Sequence, residues 1–172
     1  MITTNLKFNH TQYPDEIINR SISEILSANT LLSMANIRKT DEDFESWIFT
    51  AFYAFNSSLD LYILTPPDTQ HVQNLSYSKS VAVAIFDSHQ KPTKLKRGLQ
   101  MFGECGRADG LRLVEGYRLY GARFVWLPDL IKQPQDFAKG IIQSKLYVIH
   151  PKEVKIFDEP TFGEENWVTV SF

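Results

Sequence analysis

Residues 62–71 read Tyr-Ile-Leu-Thr-Pro-Pro-Asp-Thr-Gln-His, and this stretch decides how the rest of the chain is interpreted. The apolar residues 61–64 have the pattern of a strand, and the two prolines break it because proline has no backbone N–H to give to a sheet. Asp68 and Thr69 then offer N-cap oxygens for a short helix over 70–75. The stretch therefore predicts a strand, a sharp break and the start of a helix.

Hydrogen-bond donors gather around this predicted helix start, on Thr65, Thr69, Gln70 and His71. A helix N-terminus has free backbone N–H groups and the positive end of the helix dipole, which suit a phosphate group. Capped short helices also follow strands in proteins that bind no ligand. The stretch has two interpretations at this point, a phosphate site and a purely structural turn.

The segments on either side alternate between strand and helix patterns. Amphipathic spacing predicts helices over 14–28 and 109–124, and the ambiguous region 126–144 is predicted to be helical around 136–142. Apolar or alternating runs bounded by turn residues predict strands over 31–37, 47–55, 61–64, 81–86, 98–106, 146–149, 153–157 and 167–172. Seven or eight short antiparallel strands with a few helices predict a mainly β (α+β) fold, a barrel or sandwich with flanking helices.

Composition limits the function classes. The chain has 172 residues, 43% of them hydrophobic, which fits a single domain over 1–172. A net charge of −2 lacks the basic field that nucleic-acid binding needs. No signal-peptide pattern opens the chain, and no apolar run approaches the roughly 18 residues of a membrane span. With one cysteine as well, we expect a cytoplasmic protein that binds neither nucleic acid nor membrane.

No side chain has the sequence context of a known catalytic or metal-binding motif. His10, His71, His89 and His150 have no metal-ligand spacing, so no metal site is expected. Cys105 has no histidine near it in sequence, and we interpret it as a small buried apolar residue rather than a nucleophile. The glycine-rich and nucleophile-elbow motifs of the common nucleotide-binding and hydrolase folds do not occur.

Two further clusters each have two interpretations. Lys91, Lys94, Lys96 and Arg97 form a basic run that is either a solvated hairpin flank or a surface facing an anionic substrate. The block 47–55 carries aromatic rings on both faces of its strand. These rings either fill the core or, on one face, contact a ring-shaped ligand or a second subunit.

The order of these segments resembles the pyridoxamine 5′-phosphate oxidase-like family of FMN-binding split barrels. The stretches 62–71 and 97–103 are its most specific parts. The similarity runs from about residue 16 to the C-terminus, is strongest over 46–107, and is greatest to the small bacterial YhbP-like branch. The resemblance implies a split β-barrel of antiparallel strands with flanking helices.

The resemblance also implies a homodimer with FMN bound at the interface between the two subunits. Backbone groups of the second strand face the isoalloxazine in this family, which here corresponds to Ile48, Phe49, Thr50 and Ala51. The phosphate is held after the third strand, which here corresponds to Thr65, Thr69, Gln70 and His71. Both sets of residues are therefore expected to bind the cofactor.

Three departures from the family pattern affect this expectation. Gln70 and His71 replace an arginine and a lysine, so the phosphate affinity should depend on the protonation of His71. Gly98 replaces a glutamine of the fifth strand, and Gln100, two residues on and on the same face, is expected to substitute for it. The tail 162–168 lacks the Arg-x-His pattern that holds pyridoxal phosphate, so oxidation of pyridoxamine phosphate is not expected.

The sequence thus predicts a flavoprotein, an FMN-dependent oxidoreductase or flavin reductase that acts on an unidentified small substrate. Thr65 and Thr69 favour this hypothesis. One alternative is a non-enzymatic module that binds a flavin, a deazaflavin or a tetrapyrrole. Another is a cofactor-free dimeric scaffold. The missing arginine and lysine favour these two alternatives.

Overall fold

The computed structural model describes residues 2–9, 12–124 and 143–172. Helix α1 (Asp15–Ala28) begins after Pro14, one residue later than the sequence predicts, and ends before Asn29. Its apolar face is fully buried and consists of Ile18, Ile22, Ile25 and Leu26. The helix predicted around 136–142 lies outside the described residues.

Within the described residues, ten further elements follow α1 in chain order. They are β1 (Leu31–Lys39), β2 (Phe44–Phe55), β3 (Leu61–Thr65), α2 (Gln70–Asn74), β4 (Ser80–Phe86), β5 (Arg97–Arg107), α3 (Gly110–Arg123), β6 (Lys145–Asp158), α4 (Glu159–Phe162) and β7 (Trp167–Ser171). Strands β1 and β2 are longer than predicted because their polar ends continue to pair with each other, from Arg38 with Glu45 to Lys39 with Phe44.

The strands form one antiparallel sheet in the order β3-β2-β1-β4-β5-β6-β7. Strand β6 also pairs with β3, from Leu61 opposite Ile149 to Thr65 opposite Lys145, and this pairing closes the sheet into a barrel of six strands. Among the described strands, β7 pairs with the second half of β6 alone and lies outside the closed ring; an isolated bridge also joins its Ser171 to Asn9. The predicted fold class, a mainly β split barrel with flanking helices, is confirmed.

The prediction of separate strands over 146–149 and 153–157 is wrong. The two segments form a single strand, and the register with β5 shifts between Phe102 and Gly103, opposite Pro151. A β-bulge tolerates a proline that has no N–H for the ladder. A Cβ on Gly103 would lie 2.1 Å from the carbonyl oxygen of His150, so the close approach of the two strands requires glycine.

The side chains of the sheet alternate between a buried inner face and an outer face that points away from the core. The inner face carries the large buried residues, such as Leu32, Met34 and Tyr53. On the outer face small residues occupy the centre, at Ser33, Ala35, Ala82 and Ala84. Around them are large apolar side chains that are about half exposed or more: Leu31, Ile48, Phe52, Phe86, Phe102 and Trp167.

The charges of the basic run on the β4–β5 connection are either paired with carboxylates of this chain or exposed to solvent. Arg97 pairs with the buried Asp158 at 2.9 Å and with Glu24 of α1 at 2.8 Å. Lys91 and Lys94 are exposed. The run therefore corresponds to the hairpin-flank interpretation, with Arg97 fixing α1 to the end of β6.

Candidate functional site

Residues 62–71 bring two hydroxyls and one imidazole together. The Nε2 atom of His71 lies 2.7 Å from the Thr65 hydroxyl and 3.1 Å from the Thr69 hydroxyl. Thr65 is the last residue of β3, and the turn through the two prolines carries the chain back so that α2 places His71 over it. We call these three residues the hydroxyl–imidazole cluster.

Strand β2 supplies the wall of this cluster. The ring of Phe49 stacks on the imidazole of His71, with centroids 3.6 Å apart and planes 10° from parallel. The imidazole is half-buried, and this burial lowers the pKa of His71 below its ordinary value because the charged form loses hydration. His71 is therefore neutral at neutral pH, and the hydroxyl–imidazole cluster carries no fixed charge of its own.

A chain of side-chain amides holds α2 in place behind the cluster. Asn36 of β1 donates to the His71 carbonyl oxygen at 2.7 Å and accepts from Asn74 at 2.9 Å. Gln70 in turn donates to Asn74 at 2.8 Å. We call Asn36, Asn74 and Gln70 the amide chain. Since Asn36 and Asn74 are buried, these bonds fix the position of His71 relative to the barrel.

The start of α2 is a weaker anion site than the sequence predicts, because the helix is short and has no side-chain cap. Helix α2 has five residues, and its N-cap Thr69 makes no side-chain capping bond. The Thr69 hydroxyl instead donates to the carbonyl oxygen of Pro66 at 2.8 Å. A helix this short has few aligned peptide dipoles, so the hydroxyl–imidazole cluster, rather than the helix end, provides the donors.

The four predicted residues of β2 lie on both faces of the strand. Ile48 and Thr50 are on the exposed outer face, while Phe49 and Ala51 are partly buried against the core. Among the described strands, β2 has only β1 as a neighbour until Tyr53, where pairing with β3 begins. Every second residue over 44–52 therefore directs backbone N–H and C=O groups away from the sheet, beside the hydroxyl–imidazole cluster. At the ends of this edge the Phe44 N–H donates to Asp43 and the Phe52 carbonyl oxygen accepts from the Tyr120 hydroxyl, so the open part of the edge is 46–50.

Gln100 lies apart from the other predicted site residues. It occupies the same cross-strand row of the outer face as Thr50, which runs through Ser33 of β1 and Ala84 of β4. Three strand spacings separate Gln100 from Thr50, roughly 14 Å at the usual distance between strands. One protomer thus brings together Thr65, Thr69, His71 and the β2 edge, but it does not bring Gln100 to them.

Of the remaining candidates from the sequence, His10 lies outside the described residues and the others have defined surroundings. Cys105 is buried on the inner face, and desolvation raises its pKa to about 12, so it is an inert apolar residue. His89 is exposed beside Asp87, and His150 is paired with Asp60 at 2.6 Å. The described part of the chain has no group of three or more potential metal ligands. Within the same ranges, no helix is long and apolar enough to cross a membrane.

Asn36 is the functional residue that the sequence reasoning missed. The sequence does contain a signal for Asn36, because a polar amide follows Leu32 and Met34 at the third inward position of β1, where a core residue is expected to be apolar. The stacking of Phe49 on His71 had no such signal. The two residues are far apart in sequence and meet only through the placement of α2.

No protein-family model matches the chain. It is 28% identical over 120 residues to the UPF0306 protein YhbP of Escherichia coli O157:H7, an alignment that covers 69% of this chain and 72% of that protein. This relative agrees with the branch to which the sequence shows the greatest resemblance.

Solved structures with the same fold have little sequence in common with the chain. A heme-binding protein from Mycobacterium smegmatis superposes with a TM-score of 0.65 at 13% identity, covering 94% of this chain and 60% of that one. This chain therefore spans less than two thirds of the mycobacterial protein's length. A FAD-binding protein from Mesorhizobium loti superposes with a TM-score of 0.54 at 14% identity, covering 77% and 88%. The chain thus has the split-barrel fold of proteins named for binding heme and FAD.

Proposed function

We propose that the chain binds FMN at the hydroxyl–imidazole cluster and along the free edge of β2, and uses it as an oxidoreductase or flavin reductase. The observation that carries this proposal is the convergence of the Thr65 and Thr69 hydroxyls on the Nε2 atom of His71, at 2.7 Å and 3.1 Å, next to strand backbone that has no neighbouring strand. A phosphate site and a surface for a polar ring edge then lie side by side.

The donor set fits a phosphate monoester. Two hydroxyls donate readily to phosphate oxygens, and the imidazole adds a third donor whether neutral or protonated. The phosphate would replace the internal bonds that now join the hydroxyls to His71. Its negative charge would also favour the protonated imidazole of His71. Phosphate binding should therefore be accompanied by proton uptake, and FMN affinity should rise as the pH falls.

The β2 edge fits the polar side of an isoalloxazine. Its outward N–H and C=O groups offer donors and acceptors in alternation, and Ile48 and Phe52 flank them with apolar surface. When bound, FMN supplies the hydride or electron transfer. The protein would contribute the phosphate grip, the orientation of the ring and exclusion of water.

A homodimer would complete this site. The outer face carries large exposed apolar side chains around small residues at its centre, an unusual surface for a monomer to leave in water. Gln100 is too far from the β2 edge of its own protomer to contact the same ligand. A two-fold contact through the outer face would bring Gln100 of one subunit towards the β2 edge of the other.

The flavin proposal is tested by the spectrum and stoichiometry of the purified protein after incubation with FMN. We expect the visible flavin bands and about one flavin per chain, as one site per protomer requires. Anaerobic mixing with NADH or NADPH then separates the enzyme from a carrier. Colourless protein that takes up no FMN would overturn the proposal and favour the scaffold alternative.

A variant series assigns the phosphate to the cluster. His71→Ala should weaken FMN binding about tenfold through loss of a charge-assisted donor, and should leave riboflavin binding nearly unchanged, since only FMN has the phosphate. His89→Ala, on the exposed β4–β5 connection, is the matched control and should change neither. Equal loss of both ligands in His71→Ala would contradict the assignment.

Sedimentation measurements test the dimer. Ile48→Lys places a charge on an outer-face side chain that is 69% exposed in the protomer, and should convert dimers into monomers. Leu111→Lys is the control, because Leu111 is 89% exposed and belongs to α3 rather than to a strand of the sheet. If both variants sediment like the parent protein, the outer face is not the interface.

A tetrapyrrole-binding module is the second candidate. It is supported by the fold of the heme-binding protein from Mycobacterium smegmatis and by the His71 ring, whose Nδ1 atom has no partner in the described part of the chain. Hemin titration in parallel with FMN decides between the two. A saturable Soret shift that is lost in His71→Ala, without FMN uptake, would favour the tetrapyrrole.

A further inference from the structure

A shallow cleft lies between the last turns of α1 and α3, beside the end of β2. It has a volume of about 280 Å³. The buried side chains of Ala54, Phe55 and Leu119 close its floor. Its sides include Ile2, which is partly buried, and Ala122, which is exposed. We call this mostly apolar depression the helix cleft.

The helix cleft is separate from the outer face and from the hydroxyl–imidazole cluster. Ala54 and Leu119 belong to the small group of core residues between α3 and the barrel. At Ala54, β2 is already paired with β3, opposite Tyr62, so the open edge 46–50 ends before the cleft begins. A ligand in the helix cleft would therefore leave both of the other regions unoccupied.

Arg123 is the charged side chain of the helix cleft, among the described residues that line it. Its Nη2 atom donates to the carbonyl oxygen of Leu26 at 2.7 Å and to that of Asn29. The guanidinium carbon also lies 4.6 Å from the centroid of the Tyr53 ring and 5.3 Å from that of Phe55. These contacts hold the guanidinium in one position at the edge of the cleft.

The positive charge of Arg123 is only partly offset by its surroundings. Within the described ranges, no carboxylate lies at ion-pair distance from the guanidinium. The carbonyl end of a helix such as α1 carries roughly half a negative charge, so a net positive charge remains. Because Arg123 is partly buried, an opposite charge would be expected to accompany it. The helix cleft therefore has a place for one group with a single negative charge.

We propose that the helix cleft binds a small alkyl carboxylate, with the carboxylate at Arg123 and the alkyl chain against Ala122 and Ile2. A charge-assisted hydrogen bond and contact between hydrocarbon surfaces are the interactions that select such a molecule. The volume suits a ligand of about ten non-hydrogen atoms, at the small end of ligand sites. The proposal goes beyond flavin binding and does not rest on it, because the two sites have no residue in common.

An NMR titration of the ¹⁵N-labelled full chain with octanoate tests the proposal, and the neutral 1-octanol is the reference probe. We expect saturable shifts of the amides of Ala54, Leu119 and Ala122, and binding of octanol about tenfold weaker. Hexanoate should bind about fourfold more weakly than octanoate, since each methylene that a shallow cleft partly covers contributes about twofold. Equal affinities for the two carboxylates, or shifts confined to other residues, would overturn the proposal.

Removal of the charge should affect the carboxylate alone. Arg123→Gln should weaken octanoate binding about tenfold and leave octanol binding unchanged. Arg118→Gln is the matched control, because Arg118 is an exposed arginine of the same helix that does not line the cleft. An equal loss of octanoate affinity in both variants would assign the effect to the net charge of α3 and contradict a contact with Arg123.

A pair of variants at Ala122 tests the charge of the cleft without altering Arg123, which also holds the end of α1. Ala122 is exposed, so neither glutamate nor lysine should disturb the packing there. Ala122→Glu should weaken octanoate about fivefold by repulsion, whereas Ala122→Lys should leave its affinity unchanged or increase it. Octanoate binding that is absent from the parent protein, or that neither Arg123→Gln nor Ala122→Glu weakens, would overturn the proposal.

Competition with FMN separates this proposal from the proposed function. Saturating FMN should leave the octanoate affinity unchanged, because the two ligands use different residues. Displacement of octanoate by FMN would overturn the proposal of a separate site. Octanoate binding in a chain that takes up no FMN would support the helix cleft and overturn only the flavin proposal.

Discussion

The hydroxyl–imidazole cluster and the outer-face pair Gln100 and Lys155 both present polar groups, but these groups differ in how they are bonded within the fold. In the cluster, the Thr65 and Thr69 hydroxyls both bond to the Nε2 atom of His71, and the amide chain holds α2 in place behind them. On the outer face, Lys155 takes part in no ion pair and the Gln100 amide makes no hydrogen bond within the described residues. Substitutions in the cluster region should therefore change stability more than substitutions in the outer-face pair.

The largest effect is expected from Asn36→Leu. The variant leaves the His71 carbonyl oxygen and the Asn74 amide without their buried partner, which should lower the free energy of unfolding by about 2–3 kcal/mol. Urea denaturation measures this change. Ser33→Ala, on the outer face of the same strand, is the control and should alter stability by about 0.5 kcal/mol or less. An equally small change for Asn36→Leu would show that the cluster is not built into the fold.

A smaller effect is expected from pH. Burial lowers the pKa of His71 below the ordinary value of 6.5, so the unfolded chain takes up this proton at a higher pH than the folded chain. The contribution of His71 to stability is therefore fully present above pH 6.5 and is lost as the pH falls towards the folded pKa. Urea denaturation of the parent protein and of His71→Gln across this range should show converging stabilities as the pH falls, and parallel curves would contradict the assignment.

The smallest effect on stability is expected from Lys155→Met. The ammonium contacts the Trp167 ring but takes part in no ion pair within the described residues, so its loss should change the free energy of unfolding by about 0.5 kcal/mol or less. A destabilisation as large as that of Asn36→Leu would remove the distinction between the two regions.

The features that the sequence predicts well depend on residues that are close together in the chain. The bounds of α1 and the meeting of Thr65, Thr69 and His71 follow from spacing and turn chemistry within a few residues of chain. The outer-face position of Gln100 also follows from alternation along a single strand. Each of these depends on contacts that the chain makes with its immediate neighbours.

What the sequence does not predict depends on pairing between distant segments. The run His150-Pro151-Lys152 has the appearance of a break, and only the glycine opposite it on β5 allows β6 to continue through the bulge. The distance of Gln100 from the β2 edge depends on the strand order, which no local pattern specifies. The stacking of Phe49 on His71 depends on where α2 is placed by the amide chain.

Strand β6 has a consequence for how the molecule reaches its folded state. It is the one strand in the described sheet that pairs with three others, β3, β5 and β7, and it comes near the end of the chain. Until it is synthesised, β3 and β5 each present an open edge, and edges of this kind recruit other chains. Closure also joins segments that are distant in sequence, which slows folding. We therefore expect nascent chains that end before Lys145 to be prone to aggregation, and folding to complete only after β6 has left the ribosome.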